Sequence, residues 1–411
     1  MKAVLLMGLL ALTLSAQAQT RHESAGLLPT PVARPLLEQD PSVAAARAAL
    51  EAARQEAGIL ENSPHEWNAK MSGHRRAIEA GPHYREWTVG LERTLRLPGK
   101  AAADRKLGVA TVAEAEARYG EALHEAAREL LSLWLERLGA ERSLALAGSN
   151  LQAAQDNLAV VNKRVRAGDA AKLDASLAQA ELAEQKRLEN EARMQASVAA
   201  AHLQARFPGV TEHLAALPEA FPLRESPAFW RERILAESDE LKTAQALQEK
   251  AQAHAERASA EKTPDPTVGV YTGADAGGRE RISGFTISIP LAGGQRSRRA
   301  DKAVQLAEMS RHEVAQKRRQ LEGEISGNVA TAHGTFTSLQ IAEQGAAAMQ
   351  DNARLLQRAY ALGEADLQSL LVARRQATGA AQNALAARVA SLKAYYRLLV
   401  DAHLVWDLEH D

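Results

Sequence analysis

Hydrophobic and polar positions follow two different periods along this chain, and the order of those periods occurs twice. Period two is confined to four short segments. In Glu66 to His74 the apolar set is Trp67, Ala69, Met71 and Gly73, and Glu66, Asn68, Lys70, Ser72 and His74 alternate with it. In Trp87 to Leu97 the apolar face is Trp87, Val89, Leu91, Leu95 and Leu97, broken by Arg93. Later, Val268 and Val270 alternate with Thr267, Gly269 and Tyr271, and Phe285, Ile287 and Ile289 alternate with Gly284, Thr286 and Ser288. Successive side chains of a strand point to opposite faces, so these segments predict four amphipathic strands in two hairpins. The polar, glycine-containing stretches His74 to His83 and Ala274 to Arg281 are the predicted hairpin tips.

Helical periodicity fills most of the rest. From Lys100 to Arg166 there is no proline and glycine occurs only at Gly108, Gly120, Gly139 and Gly148. A helix over that range would be about 100 Å long at ~1.5 Å per residue. Leu144, Leu151, Leu158 and Val165 are spaced by seven, with Ala147, Ala154 and Val161 three residues after the first three. Such a heptad seam predicts left-handed supercoiling against a neighbour. A second seam is expected through Ile341, Ala348, Leu355 and Leu362.

Each long helix is predicted to end at a glycine turn. One runs from Val165 through Gly168 and Asp169 to Asp174, the other from Tyr360 through Gly363, Glu364 and Asp366 to Leu371. Glycine can take the left-handed conformation that ends a helix, and an acidic residue favours the start of the next. Asp169, Glu364 and Asp366 thus read as capping residues. In an oligomer they would also gather, with Asp174, into carboxylate rings around one opening.

The landmarks recur at a nearly constant offset: Pro41 with Pro227, Pro64 with Pro264, Pro98 with Pro290, and Gly168 with Gly363. A repeat this long is a duplicated structural half and not a solenoid period. The expected organisation is a secretory signal at 1–18, a first repeat at 19–203, a linker at 204–226, a second repeat at 227–405 and a short tail at 406–411. The signal reading rests on Lys2, the apolar run Ala3 to Leu14 and the small-x-small site Ala16-Gln17-Ala18. That run falls short of the ~20 residues a spanning helix needs.

Composition narrows the function. There is no cysteine, which excludes disulfides and thiolate chemistry. Lys plus Arg is 50 against 51 for Asp plus Glu, so no basic field for nucleic acid exists and no nucleic-acid partner is expected. His65-Glu66, His124-Glu125 and His312-Glu313 each begin like a zinc-protease helix, but none has histidine at the fifth position. No nucleophile elbow is present, and Pro98-Gly99-Lys100 lacks the upstream glycine of a phosphate loop. His65, His74 and His83 lie near one predicted hairpin at spacings that no mononuclear metal site requires, and read as solvated surface. No enzyme, cofactor or bound metal is expected.

The duplicated halves, the breaks Leu97-Pro98-Gly99-Lys100 and Ile289-Pro290-Leu291-Ala292-Gly293-Gly294, and the two glycine turns together resemble the TolC family of outer-membrane efflux proteins. The most specific part is Tyr360 to Ala373, similar to the family's Tyr-x-x-Gly followed by Leu-Leu and Ala. The resemblance implies a mainly helical fold with a small β part. In it, a homotrimer joins four transmembrane strands per chain into a twelve-stranded barrel above an α-helical tunnel in the periplasm. It also implies a passive exit duct in the outer membrane, docked through its helical tips onto a periplasmic adaptor and an inner-membrane pump.

Carried over position by position, Arg166, Gly168, Asp169, Tyr360, Gly363, Glu364, Leu367, Leu370 and Leu371 fall at the adaptor-facing tips. Asp174 and Asp366 are the candidate entrance carboxylates, although the position equivalent to Asp174 in the second repeat is Ser369. The Leu-Pro-Gly-Lys break is similar to the CzcC-like branch and leans toward heavy-metal cations. Drug efflux and polypeptide secretion stay open as cargo. So does a soluble periplasmic coiled-coil scaffold, because a sheet packed on helices would show the same alternation. Four strands cannot close a barrel within one chain without leaving open edges in lipid, so the barrel reading requires oligomerisation.

Overall fold

The computed structural model describes residues 26–210, 215–291 and 293–408. The expected signal at 1–18 lies outside them, as do residues 211–214 of the linker, Ala292 of the second break and residues 409–411 of the tail. The elements are α1 (Thr30–Glu38), α2 (Pro41–Glu61), β1 (Trp67–Ala77), β2 (His83–Thr94), α3 (Pro98–Ala167), α4 (Lys172–Arg206), α5 (Pro227–Glu237), α6 (Asp239–Ala260), β3 (Thr267–Asp275), β4 (Glu280–Ser288), α7 (Gly294–Leu362) and α8 (Leu367–Asp401). The order helix, hairpin, long helix, shorter helix occurs twice. Its long helices have 70 and 69 residues and its shorter ones 35 each. No described helix is long and apolar enough to cross a membrane.

The chain divides into two compact units. One comprises Ala45–Glu121 and Asp239–Gln320 and contains the sheet. All its strand pairings are antiparallel in the order β1-β2-β3-β4, so the hairpins of the two repeats join through β2 and β3. Register places the apolar residues in rows on one face. Ala69, Leu91, Val270 and Phe285 are cross-strand neighbours, and Met71 stands beside Val89. The opposite face carries Lys70, Gly90, Tyr271 and Gly284 in one row and Asn68, Glu92, Gly269 and Thr286 in the next. Apolar residues on the first face stand open, Met71 at 82% and Phe285 at 77% exposure. Among the described residues nothing pairs with the outer sides of β1 and β4.

The strands differ from expectation at their far ends. β1 runs on to Ala77 and β2 starts at His83, which shortens the predicted tip. Most of the added residues are polar, so alternation of hydrophobicity fades, but the ladder continues through Arg75–Arg85 to Ala77–His83. Backbone pairing needs no apolar face where ion pairs link the side chains.

At the other end of the sheet a charged network ties strands to helices. Arg96 donates to the carbonyls of Leu60 (2.8 Å), Glu61 (2.6 Å) and Asn62 (2.8 Å), placing a cation on the orphan carbonyls at the end of α2. It also meets Asp104 at 3.1 Å, and Asp104 accepts in turn from Arg257. Lys100, the last residue of the first break, is buried and pairs with Asp265 at 3.1 Å and Glu261 at 3.3 Å. Burial works to raise the Asp265 carboxyl, but the Leu97 N–H, Lys100 and His65 outweigh it and hold it below its ordinary value. Below this network α2, α3 and α6 pack through small residues, with Leu107, Ala110 and Ala253 in one cluster and Leu50, Ala53 and Ala115 in another.

The other unit comprises the described residues up to Ala44, Ala122–Ser238 and those from Leu321 on. Trp134, Trp230, Tyr396, Phe207, Leu37 and Leu203 are fully buried in it. The apolar run Leu130 to Leu135 supplies part of this core, and Phe207 and Val210 of the linker are buried too. Trp134 donates to the Gly26 carbonyl and Trp406 to that of Leu28, each at 2.8 Å. Asp401 is nearly buried and faces Arg128 at 2.7 Å and His124 at 3.2 Å. Burial works to raise its carboxyl, and His124 and Arg128 bring it below the ordinary value.

A carboxylate with a folded pKa below its unfolded value contributes stability that is complete above the unfolded pKa, about 4, and is lost as pH falls through the folded one. The thermal midpoint is therefore expected to be level from neutrality to about pH 5 and to drop steeply below about pH 4. Asp401→Asn should cost about 3 kcal/mol at neutral pH, because Arg128 and His124 lose the buried anion between them, and should flatten the acid limb. Thermal unfolding followed by circular dichroism from pH 3 to 8 checks both.

The seams are half as expected. In α3, Ala147, Ala154 and Val161 are buried, with Leu144, Leu151, Leu158 and Val165 partly covered beside them. In α7 the expected stripe points outward: Ile341 is 65%, Leu355 61% and Leu362 75% exposed. The buried heptad of that helix is instead Ile325, Ala332, Leu339, Ala353 and Tyr360. Both stripes have period seven, and only packing within the chain distinguishes them.

Candidate functional site: the two helical turns

The glycine turns lie in the second unit described above, and both are built the same way. Gly168 has φ +84° and Gly363 φ +81°, a left-handed backbone that a side chain would strain. At the end of α3 the N–H of Asp169 donates to the Arg164 carbonyl at 2.8 Å and that of Gly168 to the Val165 carbonyl at 3.2 Å. At the end of α7 the N–H of Glu364 donates to the Ala359 carbonyl at 2.8 Å and that of Gly363 to the Tyr360 carbonyl at 3.2 Å. Each pair forms a Schellman motif, which satisfies the last helical carbonyls and turns the chain sharply.

The helices that follow are started by carboxylates. Asp366 is the N-cap of α8, accepting from the Ser369 N–H at 2.7 Å and the Ser369 hydroxyl at 2.9 Å. These hydrogen bonds hold its carboxyl below the ordinary value. Asp174 lies in the first turn of α4 and accepts from the Ala171 N–H at 3.2 Å. Asp169 and Glu364 do not take the capping positions expected of them, which fall to Ala171 and Asp366; both are exposed, and each contributes its backbone N–H to the turn before it. Arg166 is exposed and reaches back to the Asn162 carbonyl at 3.3 Å.

Beneath the turns is one small core. Val161, Ala178, Tyr360, Leu367, Leu370 and Leu371 are buried together, with Leu158, Val165 and Leu356 packed against them. Leu367, Leu370 and Leu371 therefore hold the two hairpins in register and do not form the surface. The Arg164 guanidinium covers the Tyr360 ring at 4.9 Å. Deeper, Glu181 of α4 accepts from Arg375 of α8 and from Gln185, each at 2.9 Å.

Arg164, Leu173 and the Glu181–Arg375 pair belong to the site without any motif that marks them in the sequence. Leu173 is 67% exposed at the start of α4, and with Leu362 it gives the turns an apolar surface. Its signal was available, since it lies off the stripe of buried residues that begins at Ala178. The surface of the site is thus mixed: Arg166, Asp169, Glu364 and Asp366 are charged, Leu173 and Leu362 are apolar, and two glycines make the bends.

Residues 32–206 match the sequence profile of the outer membrane efflux protein family. No curated protein sequence matches the chain significantly. Among solved structures, the CmeC outer membrane channel of Campylobacter jejuni superposes with a TM-score of 0.74 at 14% identity, covering 93% of this chain and 86% of that one. The outer membrane protein VceC of Vibrio cholerae gives 0.71 at 18% identity, covering 94% and 96%. The open state of the MtrE outer membrane channel of Neisseria gonorrhoeae gives 0.72 at 16%, covering 93% and 90%. The fold is that of the outer-membrane efflux channels, mainly helical with a small sheet of four strands.

Proposed function

We propose that three copies of this chain form a passive exit duct in the outer membrane, the outermost component of a tripartite efflux complex. The observation that carries this is the sheet, with one open apolar face, one polar face and two edges that nothing among the described residues pairs. In hydrocarbon every backbone group must be paired, and three four-stranded sheets joined edge to edge meet that demand as a twelve-stranded barrel. The outward stripe Ile341, Leu355 and Leu362 on α7 supports the same assembly, since a heptad face suits a neighbouring helix of a second copy. The chain catalyses nothing in this reading. Its polar sheet face lines the lumen, and the glycine turns dock onto a periplasmic adaptor that couples the duct to an inner-membrane pump. Adaptor contact would act on a two-state entrance, biasing the hairpins tied by Glu181 and Arg375.

The purified chain should extract only with detergent, run as a trimer by native mass spectrometry and conduct in planar bilayers. Release as a monomer in osmotic-shock fluid would defeat the proposal in favour of a soluble scaffold. For cargo we assign heavy-metal cations, supported by the resemblance of Leu97 to Lys100 to the CzcC-like branch. A deletion strain should then be selectively sensitive to zinc, cobalt, cadmium or copper against a drug panel. Drug sensitivity alone would move the cargo to lipophilic solutes. Asp174→Ala, which removes one carboxylate per chain from the proposed entrance, is expected to weaken divalent-cation block several-fold. An unchanged block at several salt concentrations would remove Asp174 from the gate.

A further inference from the structure

The far end of the sheet holds a cluster that the duct reading does not use. Register places His74 of β1 opposite Glu86 of β2, and Asp275 of β3 lies one position beyond the Trp87–Ala274 pair. All three therefore stand in one row on the polar face. The His74 Nε2 is 2.8 Å from Glu86 Oε2, and ligand atoms of His74, Glu86 and Asp275 all lie within 4.8 Å of one another.

Two features set this row apart from ordinary surface charge. The Glu86 side chain is fully buried, and its two oxygens are treated differently. Oε1 faces the Arg76 guanidinium at 3.1 Å and accepts from the Ala276 N–H at 3.3 Å. Oε2 makes no hydrogen bond, although His74 is beside it. The ring nitrogen and this buried oxygen thus stand side by side as two donor atoms, with the Asp275 carboxylate within reach of both. Arg76 also reaches Asp275 at 3.6 Å and so links both carboxylates. Metal ligands are commonly held by outer partners in this way.

We propose that His74, Glu86 and Asp275 bind a divalent transition-metal ion, with zinc the best match. One imidazole and two carboxylates are a borderline donor set, favouring such ions over magnesium or calcium, which take oxygen ligands. Donors about 2.0 to 2.2 Å from a tetrahedral ion are roughly 3.3 Å apart, so the His74–Glu86 spacing needs little change. Asp275 is partly exposed, and a side-chain rotation would bring its oxygen the remaining distance. Three protein donors leave one position for water, so the ion is exchangeable. The site itself depends only on the sheet; its position at the outer mouth, three times around the ring, rests on the proposed trimeric duct. There an ion held on the polar face would narrow the exit and add positive charge to it.

The test is zinc titration of the purified full chain against a chromophoric chelator, with His74→Ala and Asp275→Asn beside the unaltered protein. His74 is largely exposed, so its replacement spares the fold, which circular dichroism confirms. Each variant should bind one zinc fewer per chain, or bind it at least tenfold more weakly, with magnesium failing to compete. Equal stoichiometry and affinity in all three proteins would overturn the site and leave a plain ion pair. In bilayers, zinc on the side of the hairpin tips should lower conductance of the unaltered channel and not of His74→Ala. If the chain fails to form channels, the duct reading falls while the titration still decides the metal site.

Discussion

Gly363→Pro is expected to abolish export while the assembled protein persists. Proline locks φ near −65°, whereas Gly363 sits at +81° and donates its N–H to the Tyr360 carbonyl. The substitution removes that bond, forbids the turn and also disfavours helical backbone at Leu362. The small core beneath, with Tyr360 on one side of the turn and Leu367, Leu370 and Leu371 on the other, then loses its register. Gly363→Ala should be milder, since a left-handed alanine costs about 1 to 2 kcal/mol. A graded series, with full export for glycine, partial for alanine and none for proline, is measured as resistance of a complemented deletion strain. Native mass spectrometry of the same proteins reports assembly. Full resistance with proline would show that the turn has no part in docking.

Leu91→Arg is the second large effect, and it tests the sheet. Leu91 stands mid-strand on the apolar face between Ala69 and Val270. In a lipid-facing position near the midplane an arginine costs about 2 to 4 kcal/mol, and a trimer would carry three. The variant should fail to reach the outer membrane and accumulate as unassembled or degraded chain. Thr88→Arg lies on the opposite, polar face, which also carries Glu86 and Glu92, and should assemble normally with altered conductance. Membrane fractionation separates the outcomes: equal tolerance of both arginines would mean that neither face meets lipid.

Much of this architecture was legible in the chain because backbone limits leave marks. Gly168 and Gly363 announce left-handed helix ends, and both occupy that conformation. Strand alternation was equally clear where one face is apolar. It failed at Arg75, Arg76 and Arg85, where the ladder continues through charged residues and no hydrophobic contrast records it. The seam of α7 shows a different limit. Alanine-rich helices carry small apolar residues on several faces, so the period of Ile341 to Leu362 was visible and the phase was not. Only packing revealed that the stripe through Leu339 and Tyr360 is the inner one. At the turns, the leucines after Gly363 could be counted from the sequence, but their burial depends on Val161 and Ala178, about two hundred residues earlier in the chain.

The free edges of β1 and β4 also bear on how such a pore could be installed. A dimer would still carry one open edge on each flank, with N–H and C=O groups facing hydrocarbon and costing several kcal/mol apiece. An incomplete ring is thus disfavoured steeply by backbone desolvation alone. If the chain forms the proposed trimeric duct, insertion and sealing become one event, and the outer barrier passes through no half-finished hole.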